Sequence, residues 1–338
     1  MSKIIAFGEI LMRLSPPDSL RFSQSNSLDV NFGGGEFNVA ACLANFGLKT
    51  EFVTALPENE LGIKALSEIK KNSVGTKNTA ISGKRLGIYF LEEGSAIRAS
   101  KVIYDRENSA IANADEDLFD WEKIFEGATW FHFSGITPAI SQSAANICKK
   151  AITFAEKAGL TISCDLNFRA KLWQYGKKPH EIMPELLQDC DVILGDIDTA
   201  LMYLGQAQIY PDYQNKDSVK NAYLSVFQML PNLKKMATTL RYSFGTNHQK
   251  IGGILSTNEE IYYASEYDIN PVLDRIGTGD AFMGGLVYGL HQNFSPQEII
   301  NLATANCVFK HTVKGDVQQA TLQEILALTN GSTSNILR

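Results

Sequence analysis

Cysteine is scarce in this sequence and shows no pattern. Cys42, Cys148, Cys164, Cys190 and Cys307 are odd in number, scattered, and lie in segments that read as buried helices or strands without a CxxC pair. A disulfide framework is therefore unsupported, and buried free thiols are expected. The five histidines have no HxxxH spacing, so a dedicated zinc site has no support either. No apolar run approaches the roughly 18 residues of a membrane span. The opening "MSKIIAFGEIL" enters a strand-like segment without the hydrophobic stretch of a signal peptide, so a cytoplasmic location and no membrane partner are expected. Neither sign of charge dominates: 31 Lys and Arg against 37 Asp and Glu leave a net charge of −6, in no long block, which argues against nucleic acid as a partner. The chain also has no GxxxxGK[ST] loop, repeat, low-complexity segment or flexible linker.

What is present is an alternation of strands and helices. "KIIAF", "EFVTAL", "TWFHF", "LTISCDL", "DVILG" and "KMATTL" are short apolar runs rich in β-branched and aromatic residues. Between several of them the apolar spacing is helical. Phe37, Ala40, Ala41 and Ala44 recur at i, i+3, i+4 and i+7, with Gly47 as a stop, and Ala144 to Ala158, ended by Gly159, repeats the pattern. This βαβ succession predicts an α/β fold with a mostly parallel sheet covered by helices on both faces. Residues 11–32 and 84–110 break the rhythm, the second reading as two strands around Glu92-Glu93-Gly94, and together they suggest a small β excursion from one main domain spanning 1–330. Residues 331–338 read as a polar tail.

The densest chemistry lies in "DRIGTGDAFM", Asp274 to Met283. Phe282, Met283, Leu286, Val287 and Leu290 follow helical spacing, which puts Gly277-Thr278-Gly279 at a helix N-terminus, where free amides and the helix dipole can hold a phosphate-like anion. Asp280, in the first turn, would meet the same field, which favours its ionised form and suits it to take a proton from a nearby hydroxyl. A carboxylate that merely complements the dipole is the plainer alternative. The stretch is not a dinucleotide fingerprint, because Phe282 stands where GxGxxG needs its third glycine.

"DRIGTGDAFMGGL" resembles the C-terminal signature of the ribokinase-like (PfkB) carbohydrate kinases, and "FGGGEFNVAACLANFG" resembles their N-terminal glycine motif. The resemblance runs essentially end to end. It implies a ribokinase-like, doubly wound sheet flanked by helices, with 11–32 and 84–110 forming a small β lid over a sugar, and lids that often pair into a homodimer or larger homo-oligomer. It further implies ATP as phosphoryl donor with Mg²⁺, Asp280 as the base, and the amides of Gly277, Thr278, Gly279 and Asp280 as the cradle for the transferring phosphoryl group. Gly33, Gly34 and Asn38 would form the sugar floor, and Arg241 would contact the polyphosphate. An adenine pocket would come from the helical stretch after Asn301 and the loop through Gly315.

Within the family, "GEILMRLSPP", "VIYDRENSA", "DLNFRAKLW", "TTLRYSFG" and "KHTVKGD" look most like the kinases of 2-keto-3-deoxygluconate, which phosphorylate a terminal hydroxyl. A sugar acid needs cationic donors for its carboxylate, which Arg106 and Arg169 can supply, with Tyr89 and Tyr104 offering hydroxyls and apolar walls. The plainer readings are that Arg106 pairs with Asp105 or Glu107 and that Arg169 ties to a neighbouring carboxylate. A fructokinase or other PfkB sugar kinase is a second reading, and a non-catalytic sugar-acid sensor a third. The sensor reading draws on one departure: where the family has Asn-x-x-Glu, this chain has "DIDT", with Asp196 and Thr199 at those places. Asp196 is then either an Mg²⁺ ligand through water or a helix cap. Asp274 with backbone carbonyls of residues 312–315 matches the family's monovalent-cation loop, which would hold K⁺, although a turn-forming Asp explains it equally well.

Overall fold

The computed structural model describes residues 3–331; most of the expected polar tail, from 332 onward, lies outside the described residues. The strands are β1 (Lys3–Phe7), β2 (Leu11–Ser15), β3 (Asp29–Gly33), β4 (Lys49–Val53), β5 (Ala55–Leu56), β6 (Ala80–Ile81), β7 (Gly87–Glu92), β8 (Lys101–Asp105), β9 (Ala128–Ser134), β10 (Thr161–Asp165), β11 (Val192–Leu194), β12 (Lys235–Ser243), β13 (Gln249–Thr257), β14 (Ile261–Tyr263) and β15 (Tyr267–Ile269). The helices are α1 (Gly35–Asn45), α2 (Glu60–Lys71), α3 (Trp121–Phe125), α4 (Gln142–Lys157), α5 (Pro179–Leu187), α6 (Ile197–Tyr203), α7 (Lys216–Met229), α8 (Thr278–His291), α9 (Pro296–Lys310) and α10 (Leu322–Thr329).

The main sheet runs β14-β13-β12-β11-β10-β9-β1-β4, with β15 also paired to β13. From β4 to β12 every pairing is parallel, and β13, β14 and β15 add an antiparallel edge. The pleat explains why the parallel strands read as continuous apolar runs. Ile5, Phe131 and Ile193 enter one core, with α4, α5 and α7, while Ile4, Trp130 and Val192 enter the other, with α8 and α9. Strand order reverses at β1, and the C-terminal ends of β1, β9, β10 and β11 open on the same side, the place where open α/β sheets bind ligands. Among the described residues all five cysteines are free and buried, and no helix is long and apolar enough to cross a membrane.

The two irregular segments meet in a second sheet, ordered β3-β2-β7-β8. Its strands place polar and apolar residues on opposite faces. Asn31, Arg13, Tyr89 and Tyr104 form one cross-strand row, and Val30, Leu14, Phe90 and Ile103 form the next, so the two rows point to opposite sides. The polar row contributes Tyr89 and Tyr104 to the large cleft, and Val30 and Ile103 stay exposed. The connection between β7 and β8 is longer than a tight turn at Glu92-Glu93-Gly94 would be. Glu92 still belongs to the strand, and residues 93–100 form a loop tied by the Gly94 amide to Ser100 Oγ at 2.9 Å.

Candidate functional site

A cleft of about 770 Å³ lies between the C-terminal strand ends and the small sheet. At its floor α8 begins. Gly277 has φ +76°, in the region that favours glycine, and a Cβ there would sit 1.9 Å from the Asp316 carbonyl oxygen. A Cβ on Gly279 would meet nothing within 4 Å, so a ligand can approach the backbone closely there. Thr278 Oγ1 donates to the Arg275 carbonyl at 3.0 Å and accepts from Arg241 Nη2 at 3.1 Å. Arg275, which sequence reading passed over, also lines the cleft, and burial together with the Arg241 charge lowers its pKa. Two guanidinium groups thus flank free helix amides, a setting made for a polyphosphate.

Asp280, in the first turn of α8, is buried. Asn38 Nδ2 donates to Asp280 Oδ2 at 2.7 Å, and Asn38 Oδ1 accepts from the Gly34 amide at 3.3 Å. The expectation that the helix field would govern its ionisation needs correcting. Burial dominates and pushes the Asp280 carboxyl up to about 6, against the opposing pull of the Asn38 hydrogen bond and the Arg169 charge. A carboxylate titrating near 6 is ionised at neutral pH and basic enough to accept a hydroxyl proton.

A second acid, Asp165 at the end of β10, was not among the residues the sequence singled out. It lines the cleft and is pushed up to about 8, by burial first and then by the Asp280 charge, with Arg169 opposing. At neutral pH Asp165 is therefore mostly protonated and Asp280 mostly ionised, a donor and an acceptor side by side. Glu36 lies beneath them, taking hydrogen bonds from Ser134 Oγ and Thr137 Oγ1, both at 2.6 Å.

The expected sugar-side residues divide into three groups. Gly34, Asn38, Tyr104, Arg106 and Arg169 line the cleft. Gly33 does not line it; its bare Cα makes room for Asp316, whose Oδ2 would be 2.3 Å from a Cβ. Tyr89 lines the cleft, but its hydroxyl is already donated to Asp316 Oδ2 at 2.6 Å. The two arginines also differ. Arg106 is buried and its Nε and Nη2 both hold Glu9 Oε2, whereas Asp105, one of its expected partners, pairs with Arg85 at 2.9 Å. Arg169 is exposed at the rim, donates to the Phe168 carbonyl at 3.0 Å, and forms no ion pair among the described residues. Its charge reaches Asp165 and Asp280.

On the opposite wall stand Asp196, Asp198 and Thr199. Asp196 occupies the position before α6, but its side chain makes no capping hydrogen bond, so the capping alternative lacks its defining contact. Burial and the Asp198 charge raise its pKa, and Arg241 lowers it. Among the described residues no group of three or more His, Cys, Asp or Glu is placed to hold a metal. One or two carboxylates facing a phosphate site nonetheless fit Mg²⁺, which keeps several waters and takes most of its other oxygens from the nucleotide. Asp274 lies outside the cleft lining, bound to Arg13 at 3.3 Å and to the amides of Ile276 and Gly315 at 2.9 and 3.0 Å.

Asp280→Asn is expected to lower kcat by roughly 10²–10⁴-fold while calorimetry still detects nucleotide binding. In the unaltered protein the rate should fall as pH drops through about 6, because Asp280 then takes up a proton. Asn38→Ala removes a donor that favours the ionised carboxylate, so that limb should move to higher pH. An unmoved limb would separate Asn38 from the base.

Comparison with known proteins shows the family. Residues 1–318 match the model of the pfkB family carbohydrate kinases. The crystal structure of 2-dehydro-3-deoxygluconokinase from Thermotoga maritima is 39% identical, with a TM-score of 0.93, over 98% of this chain and 100% of that one. A 2-dehydro-3-deoxygalactonokinase of Haloferax volcanii is 27% identical over 100% of this chain and 99% of its own length. A fructokinase of Xylella fastidiosa with bound ATP, 22% identical over 97% of this chain and 98% of its own, shares the fold at a TM-score of 0.78. With the N-terminal glycine turn and the GTGD turn meeting at one acid over one cleft, the chain belongs to the pfkB family of carbohydrate kinases.

Proposed function

We propose that the protein transfers the γ-phosphoryl group of ATP to the terminal hydroxyl of 2-dehydro-3-deoxygluconate, the compound also called 2-keto-3-deoxygluconate, giving the 6-phosphate and ADP. The observation that carries this reading is one cleft with Asp280 at the anion cradle and, at the proposed sugar end, Arg169 with no ion-pair partner among the described residues. The Arg106–Glu9 pair is neutral as a unit, so Arg169 supplies the net positive charge for the acceptor's carboxylate, with Arg106 and the Tyr104 ring as a rigid wall. The two similar kinases of 2-dehydro-3-deoxy sugar acids support the same acceptor class.

Asp280 takes the hydroxyl proton as the sugar oxygen bonds to the γ-phosphorus, and the bond from that phosphorus to the β,γ-bridging oxygen breaks to release ADP. The amides of Gly277 to Asp280 face the negative charge on the transferring oxygens, and Arg241 and Arg275 hold the polyphosphate in line. Asp196 would hold Mg²⁺ through water, and the ion would neutralise charge on the phosphate oxygens. The exposed apolar row of the small sheet, Val30 and Ile103 among it, is read as the contact between lids of two copies.

ADP release measured across 2-dehydro-3-deoxygluconate, gluconate, fructose and ribose tests the acceptor: turnover confined to the keto-deoxy acid is expected, and preference for a neutral sugar would discard the carboxylate site. Losing a charge-assisted contact costs roughly 1.5–3 kcal/mol, so Arg169→Ala should raise KM for the acid about 10- to 150-fold while KM for ATP stays nearly constant. Asp196→Ala should raise the Mg²⁺ concentration needed for half-activation; an unchanged value removes it from the metal's surroundings. Light scattering should give the mass of two or more chains, and a single-chain mass would remove the lid pairing.

A further inference from the structure

Behind the cradle, the two loops that carry Asp274 and Asp316 close around a pair of buried cations. Arg13 of β2 reaches Asp274 Oδ2 at 3.3 Å and Asp316 Oδ1 at 3.2 Å. Lys310, the last residue of α9, is fully buried, and its Nζ donates to the Val313 carbonyl at 2.8 Å. Burial lowers the Lys310 pKa against the opposing pull of Asp274 and Asp316, and burial raises that of Asp316 against Arg13 and Lys310. Arg13 and Lys310 thus already place two cations among Asp274, Asp316 and the half-buried Glu93, whose charge acts on Arg13 as well. An ammonium in a dry interior is costly unless opposite charge and hydrogen bonds compensate it, so its presence here is itself an observation that calls for a role.

A monovalent cation at this loop, as the family resemblance implies, does not fit these residues. Val313 is one of the carbonyls at 312–315 that such an ion would use, and it already accepts from Lys310. Both Asp274 oxygens have donors, Oδ1 from the Ile276 amide and Oδ2 from Arg13 and the Gly315 amide. An added ion would also sit among two buried positive charges.

We propose that the Lys310 ammonium is a built-in substitute for that cation, holding the two loops together and making turnover independent of K⁺. The connection to the cradle is short. Asp274 fixes the Ile276 amide, and the next residue, Gly277, packs against the Asp316 carbonyl, so these loops set where α8 begins. Lys310 is a positioning residue: it touches neither reactant and acts through the helix start.

The experiment compares the intact protein with Lys310→Ala and Lys310→Met in tetramethylammonium buffer, with and without K⁺ or NH₄⁺. It reads both turnover and melting temperature; melting needs no acceptor, so it reports on the loop even if the sugar assignment fails. The intact protein should show the same turnover and melting temperature in every buffer. Lys310→Ala, which leaves room for an ion, should lose about tenfold or more in kcat/KM for ATP and melt lower, and K⁺ or NH₄⁺ should restore both in part. Lys310→Met, which keeps the bulk and loses the charge, should be impaired and not restored. Stimulation of the intact protein several-fold by K⁺, full activity of Lys310→Met, or failure of both ions to raise the melting temperature of Lys310→Ala would each overturn the proposal. Should Lys310→Ala not fold in any buffer, the ion response of the intact protein and the activity of Lys310→Met decide it.

Discussion

The hydrogen bond from Asn38 to Asp280 is the constraint on which the site depends, because it joins two glycine turns 242 residues apart in sequence. Each turn opens a helix, α1 and α8, whose first residues face the same cleft. The two helices lie close enough that a Cβ on Gly284 would be 2.7 Å from Cys42 Sγ, and Asn306 of α9 locks the contact by donating to the Ala281 carbonyl at 2.6 Å. Sliding either helix would break the contact that holds Asp280. The sheet below, buried on both faces, makes such sliding costly.

Electrostatically the cleft has two ends, each built from a different part of the chain. Arg241 on β12 and Arg275 before α8 stand at one end with Asp196 and Asp198, and Arg169 after β10 stands near Asp165 and Asp280. Between them sit Asp280 and Asp165, both raised in pKa chiefly by burial, Asp165 more than Asp280. In the proposed reaction Asp280 is the group suited to accept the proton, because burial raises Asp165 further than Asp280. The arrangement stabilises charge by preorganised groups rather than by flexible surface side chains.

Much of this was legible in the sequence because the signals are local. The apolar runs of β1, β9, β10 and β11 and the glycine turn before α8 each carry their meaning within a dozen residues. The antiparallel edge was less visible, since Gly252 and Gly253 interrupt the alternation of β13. What stayed hidden were partnerships set by tertiary approach. Nothing near Arg106 in sequence points to Glu9, and nothing near Tyr89 points to Asp316. Arg275 and Asp165 lie inside the stretches "DRIGTGDAFM" and "DLNFRAKLW", but nothing in either stretch marks them out from their neighbours; burial and the folding of the chain around the cleft give them their setting. The upward shift of Asp280 escaped sequence reasoning for the same reason: the helix field is local and legible, whereas desolvation depends on everything packed above it.

The central claim is that the base, the cradle and the sugar-acid end act together on one hydroxyl. Proton-coupled phosphorus NMR of the product formed from ATP and 2-dehydro-3-deoxygluconate tests it most directly. The predicted result is a phosphate triplet, from an ester on the terminal methylene, appearing in step with ADP. A doublet from a secondary hydroxyl, or only the singlet of free phosphate, would contradict it.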